Sequence, residues 1–147
     1  MSKIKVILVD DHEMVRMGLK SFLNLQADID VVGEASNGRE GVDLALALKP
    51  DVLVMDLVMP ELGGVEATLE VLKKWKEAKV LVLTSYLDNE KIYPVIDAGA
   101  KGYMLKTSSA AEILNAIRKV SKGELAIETE VDKKLRRMIN TLTCMRN

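Results

Sequence analysis

The chain has 147 residues, 48% of them hydrophobic and 29% charged, which suits one soluble domain with enough length for a proper core. A formal charge of -1 gives no overall attraction for nucleic acid or an acidic membrane, so such a partner would have to find a local patch. A single Cys144 excludes an internal disulfide framework and any multi-cysteine metal site. Residues 1–10 lack a signal-peptide pattern and no run approaches the ~18 apolar residues of a membrane span, so the expected location is cytoplasmic.

Ile4 to Val9 reads as a first strand ending in Asp10-Asp11-His12, followed by a helix with Val15, Leu19, Phe22 and Leu23 inward. Asp30 to Ala35 is a shorter second strand, Ser36-Asn37-Gly38 a turn or cap, and Val42, Ala45 and Leu46 the buried stripe of a second helix. The third strand lies in Asp51 to Pro60, an apolar run into which Asp56 is driven. Burying a lone charge there is costly, so Asp56 must sit at the strand's open end or have partners. After Gly63-Gly64 a third helix is expected to turn Val65, Leu69 and Leu72 inward, with Trp75 near its end. Val80 to Leu83 forms the fourth strand, closing in Thr84-Ser85. The fourth helix, Asn89 to Ala98, contains Pro94 and is expected to start late or kink. Gly99 ends it. Gly102 to Leu105 is a fifth strand ending in Lys106, and Ser109 caps a fifth helix, with Ile113, Ile117 and Val120 on one face and Gly123 as its stop.

Strands alternating with helices in this way predict an α/β fold, a doubly wound five-stranded parallel sheet of order 2-1-3-4-5 flanked by five helices, flavodoxin-like. Its ligand would lie outside the carboxyl ends of the strands. In that order the first and third strands flank the switch point, so Asp10, Asp11 and Asp56 meet. Three close carboxylates repel unless a cation or proton compensates, and a hard divalent ion such as Mg2+ suits oxygen ligands while leaving room for a phosphate oxygen. Asp56 can then act as a carboxylate nucleophile toward a phosphoryl group, with Lys106 and the Thr84 hydroxyl on its oxygens, giving an acyl phosphate. Taken singly, an Asp at a strand end is usually a solvated turn residue, Thr-Ser a cap and Lys a surface cation. Five such groups at the carboxyl ends of four strands favour the functional reading.

Asp10-Asp11, the segment around Asp56, Thr84-Ser85 and Lys106 resemble the receiver domain of bacterial two-component response regulators, CheY-like in fold, over residues 4 to 122. The Asp-Asp-His opening, Gly33-Glu34-Ala35, Val65 to Thr68 and Asp97 to Lys106 most resemble the NarL/LuxR (FixJ-like) subfamily, and within it the LiaR/VraR-type cell-envelope stress regulators of Gram-positive bacteria. The resemblance implies that a sensor histidine kinase donates a phosphoryl group to Asp56. It implies Mg2+ held by Asp10, Asp11, Asp56 and the Val58 backbone carbonyl, and a switch through Thr84 and Tyr103. Tyr103 as an ordinary strand residue remains an equal alternative. A phosphorylation-favoured homodimer is also implied. The chain is then a phosphoacceptor rather than an enzyme, with at most slow self-dephosphorylation.

Some positions depart from the family pattern. Val58 offers no polar side chain to position an attacking water. Thr107 stands where many receivers have proline, and Gly63, where an aspartate is usual, loosens its loop. His12 is expected to be a polar neighbour of the acids rather than a ligand or phosphodonor. Met14 and Met17 fall off the helical stripe, where peripheral core packing is favoured over an adaptable partner surface.

Residues 1–123 are expected to be the receiver domain and 124–147 a helical linker or tail. There Ile127, Val131, Leu135, Met138 and Leu142 recur at helical spacing, and Lys133-Lys134 and Arg136-Arg137 read as a solvated face. The family's DNA-binding output domain is absent from this chain, so DNA would be reached only through that missing domain. A stand-alone receiver acting by protein–protein interaction is the alternative. A haloacid dehalogenase-type phosphatase would want an acid where Val58 stands, and a flavodoxin-like carrier would find its flavin phosphate repelled by Asp10-Asp11.

Overall fold

Alternate residues of the central strands face opposite ways, and both faces are apolar. The computed structural model describes residues 3–59, 61–85 and 89–127, the side chains of 89–92 excepted. Its elements are β1 (Ile4–Val9), α1 (Glu13–Asn24), β2 (Ile29–Ala35), α2 (Gly38–Leu48), β3 (Val52–Asp56), α3 (Gly64–Lys74), β4 (Val80–Thr84), α4 (Asn89–Ala98), β5 (Gly102–Leu105), α5 (Ala110–Ser121) and β6 (Ala126–Ile127). All strands pair in parallel in the order β2-β1-β3-β4-β5-β6. The five expected strands stand in the expected order. A sixth, very short strand extends the sheet beyond β5.

Val6, Leu8, Val52, Val54, Leu81, Leu83 and Met104 pack on one face with Leu23 of α1 and Ile113 and Ile117 of α5. Ile7, Val9, Leu53, Met55, Val80, Val82 and Tyr103 pack on the other with residues of α2, α3 and α4, among them Val42, Ala67, Val71 and Val95. Each fully buried aliphatic side chain contributes about 1.5–3 kcal/mol, and a sheet covered on both sides needs such continuous runs. The carboxyl ends of β1, β3 and β4 and the residues just beyond them are held in place by this core.

Several expected faces are shifted. In α3 the inward residues are Gly64, Ala67, Thr68, Val71 and Leu72, while Leu69 is exposed and Val65 half-buried. Small residues fill the α2–α3 contact, which a search for large apolar side chains overlooks. Trp75 caps the end of α3, half-buried, with the Lys49 ammonium 4.5 Å from its ring centre. In α1, Leu23 is buried, Leu19 and Phe22 are half-buried, and Val15 is exposed. Met14 and Met17 are 82% and 53% exposed, so they are not peripheral core. α4 runs from Asn89 with Pro94 inside it, without a late start. Gly99 and Gly123 take positive φ after α4 and α5, the left-handed stops that the sequence indicates. Ile127 belongs to β6 rather than to a helix. The rest of the helical pattern, Val131 to Leu142 with its basic pairs, lies outside the described residues.

Candidate functional site

β1 delivers Asp10 and Asp11 just past its last residue, β3 ends on Asp56, β4 ends on Thr84 and Lys106 directly follows β5. The parallel register aligns these ends on one rim. Asp10 and Asp56 are buried, Asp11 is exposed, and the ligand atoms of Asp10, Asp11, His12 and Asp56 all lie within 4.8 Å of one another. The Lys106 ammonium bridges the two buried acids, 2.9 Å from Asp10 Oδ2 and 3.0 Å from Asp56 Oδ2. Thr84 is buried at the end of β4, where its backbone carbonyl accepts the Lys106 N–H at 2.7 Å.

Electrostatics follow from this burial. Desolvation pushes the Asp56 carboxyl above its ordinary pKa, and the neighbouring Asp10 charge adds to that. Lys106 and the Val58 backbone N–H, which donates to the Asp56 carboxylate, offset only part of it. For Lys106, burial works against the charged form, but the hydrogen bonds to Asp10 and Asp56 outweigh it and the pKa rises. One ammonium between two nearly buried carboxylates leaves surplus negative charge. Oxygen donors this close fit a hard divalent cation, and the cluster is consistent with the Mg2+-binding pocket of receiver domains.

The backbone around the site is tightly packed. Gly64 N–H donates to the Leu57 carbonyl at 2.8 Å, and a Cβ on Gly64 would overlap the Asp56 carbonyl oxygen, so the start of α3 lies directly against the end of β3. Gly63, the α3 N-cap, has φ -66, which any residue can adopt. Among the described residues no peptide bond is cis. The Val58 side chain is 46% exposed.

Two residues of the site's surroundings escaped the sequence reading. The Arg16 guanidinium donates to the Asp10 backbone carbonyl at 2.5 Å and to Glu34 Oε1 at 3.2 Å, while Glu34 also binds Lys20 at 2.7 Å. Lys20 first, and Arg16 after it, draw the Glu34 pKa down. The i, i+4 spacing of Arg16 and Lys20 on α1 is visible in the sequence, but their common partner on β2 is not. His12 was expected only as a neighbour. It does contact the acids, with Nδ1 3.0 Å from Asp10 Oδ1 and 3.4 Å from Asp11 Oδ1.

Residues 6–118 match the response regulator receiver domain family. The chain belongs to that family. This receiver domain is 57% identical over 132 residues to the transcriptional regulatory protein LiaR of Bacillus subtilis, covering 90% of this chain and 63% of LiaR. It is 50% identical over 133 residues to the response regulator protein VraR of Staphylococcus aureus, covering 90% of this chain and 64% of VraR. The receiver thus spans somewhat less than two thirds of the curated relatives it matches. A solved LuxR-family two-component response regulator from Aurantimonas sp. SI85-9A1 superposes with a TM-score of 0.86 at 31% identity, covering 93% of this chain and 98% of that one. These matches place the receiver with NarL/LuxR regulators of the LiaR/VraR type, in a family classed as phosphoacceptors rather than catalysts. No helix among the described residues is long and apolar enough to cross a membrane.

Proposed function

We propose that the chain is the phosphoacceptor module of a two-component transcriptional regulator responding to cell-envelope stress. The observation that supports this reading is the meeting of Asp10, Asp11 and Asp56 with the Lys106 ammonium at the rim of the sheet. An Asp56 carboxylate oxygen attacks the phosphorus of a phosphohistidine on a sensor kinase. The phosphorus–nitrogen bond breaks and the imidazole nitrogen leaves with the bonding pair. Asp10, Asp11, Asp56 and the Val58 backbone carbonyl would hold Mg2+, which supplies positive charge opposite the phosphoryl oxygens when bound. Lys106 moves its hydrogen bonds onto one phosphoryl oxygen, and the Thr84 hydroxyl takes another.

The switch is a population shift. An acyl phosphate adds charge and acceptors that favour the arrangement in which Thr84 and Lys106 are drawn onto it. We assign the reading of that movement to Tyr103, and its full burial on β5 next to β4 supports the assignment. The receiver is read as residues 1–123 with β6 (Ala126–Ile127) added to its sheet, and the rest of 124–147 as a linker or tail. In the cytoplasm the modified receiver dimerises and controls a DNA-binding output carried by a longer protein. A stand-alone receiver acting through a protein partner is the second reading, favoured by the exposed Met14 and Met17 on α1.

Intact mass after incubation with acetyl phosphate tests the reading. One phosphoryl group is expected in the wild type with Mg2+, and none without Mg2+ or in Asp56→Asn. No gain in the wild type would leave a receiver that works by binding alone. Light scattering before and after modification tests the dimer, and a monomer in both states would refute it. With Val58 beside the acceptor, decay of the acyl phosphate should be slow and should quicken in Val58→Asn.

A further inference from the structure

His12 is the single histidine of the chain and the N-cap position of α1, yet its side chain makes no capping bond. Its Nδ1 atom points into the acidic cluster instead, 3.0 Å from Asp10 Oδ1, 3.4 Å from Asp11 Oδ1 and 4.0 Å from Asp56 Oδ2. The same atom lies 3.1 Å from Lys106 Nζ. These contacts conflict. An ammonium has only protons to offer, so a bond from Lys106 needs the Nδ1 lone pair, whereas a bond to a carboxylate needs a proton on Nδ1. One nitrogen cannot satisfy both. A divalent cation among the carboxylates would resolve the conflict by taking the lone pair.

The spacing suits that role. Around an octahedral ion with bonds of about 2.0–2.1 Å, neighbouring donor atoms stand about 3.0 Å apart and opposite ones about 4.2 Å. Of the three Nδ1-to-oxygen distances, 3.0 Å to Asp10 and 4.0 Å to Asp56 lie close to the neighbouring and opposite spacings, and the 3.4 Å to the exposed Asp11 needs only a small shift of that side chain to join them. We infer that His12 Nδ1 is a nitrogen ligand of the cation site. It gives the receiver a mixed imidazole–carboxylate donor set that favours a later first-row divalent ion such as Ni2+ beyond what carboxylates alone would do. Imidazole is a good ligand for such ions and a poor one for Mg2+, which prefers oxygen. The inference rests on the proposed cation site and adds a residue and a metal preference to it.

The test uses the untagged 147-residue chain carrying Cys144→Ser, so that no thiol competes and His12 is the only imidazole. Ni2+ and Mg2+ are titrated separately by calorimetry into this protein and into its His12→Ala and His12→Gln forms. Both variants should lose at least about tenfold in Ni2+ affinity while Mg2+ affinity changes less than about twofold. Ni2+ should also shift the ring protons of the single histidine paramagnetically, as direct ligation requires. Equal losses for both ions, unchanged Ni2+ affinity, or histidine resonances that only broaden without shifting would each overturn the inference. Magnesium-dependent uptake of a phosphoryl group is followed in the same preparations. If uptake persists while Ni2+ fails to engage His12, the ligand assignment alone is wrong. If uptake fails while Ni2+ binds through His12, the proposed function is wrong and the ligand assignment stands.

Discussion

Two helices begin beside the same rim of the sheet, and they begin differently. α5 opens on Ser109, whose hydroxyl accepts the Glu112 N–H at 3.1 Å while the Glu112 carboxylate accepts the Ser109 N–H at 3.1 Å. α1 opens on His12, which caps nothing and turns toward Asp10, Asp11 and Lys106. The β5–α5 junction satisfies its local donors reciprocally. At the β1–α1 junction the His12 N–H donates to Asp10 Oδ1 at 2.8 Å, and the His12 side chain joins the polar groups gathered around a shared point instead of capping the helix. Local rules are kept where the chain needs stability and broken where it needs chemistry.

The largest expected effect comes from Lys106→Met, which removes the ammonium shared by Asp10 and Asp56. Stripping one partner from a nearly buried charge group should cost about 3 kcal/mol in urea denaturation without divalent cations. Added Mg2+ should recover part of it, because a ligand that binds only the folded form stabilises it. An undiminished loss in Mg2+ would show that Lys106 acts through packing alone.

Asp56→Asn should act in the opposite direction and by less, since Lys106 keeps its bond to Asp10. Burial first, with Asp10 adding to it, holds the Asp56 pKa above its ordinary value, so the folded chain keeps this proton more tightly than the unfolded one. The contribution of that group is present below the ordinary carboxylate range and lost as pH rises through the raised folded value. At neutral pH and without metal, Asp56→Asn should therefore melt higher than the wild type, with the gap closing as pH falls toward 4. A gap that stays constant with pH would place its origin outside this titration.

Ser109→Ala, at the other junction, should lower stability by about 1 kcal/mol through loss of the cap. That loss should be indifferent to Mg2+, and phosphoryl uptake should be unchanged. Sensitivity to Mg2+ would mean that the two junctions are not as separate as their hydrogen bonds indicate.

The strands were legible because a parallel sheet covered on both faces demands continuous apolar runs, and the acids, Thr84 and Lys106 stood at the ends of those runs. Gly99, Ser109 and Gly123 marked helix ends by familiar backbone chemistry. What failed to show was of another kind. Ala126 and Ile127 are too few to carry a strand signal, and Ile127 fitted a helical spacing equally well. The face of α3 was misjudged because Ala67 and Thr68, though small, are buried, while the larger Leu69 is not. Arg16 reaching the Asp10 carbonyl, and His12 turning inward, depend on side-chain directions that spacing does not report. Met14 and Met17 could pack or protrude, and only the fold decides.

The short β6 has a mechanical consequence. Tyr103 pairs with Ile127, and the Ala126 N–H is tied to the Lys101 carbonyl at 3.0 Å, so the outermost rung is bolted to the strand that leads into Lys106. On the proposed switch, a tug on the lysine would run down β5 like tension along a tie rod. It would then cross to Ile127 through the main-chain pairing of β5 and β6. The polypeptide after that residue sets out from an anchor hydrogen-bonded to the strand that leads into the site.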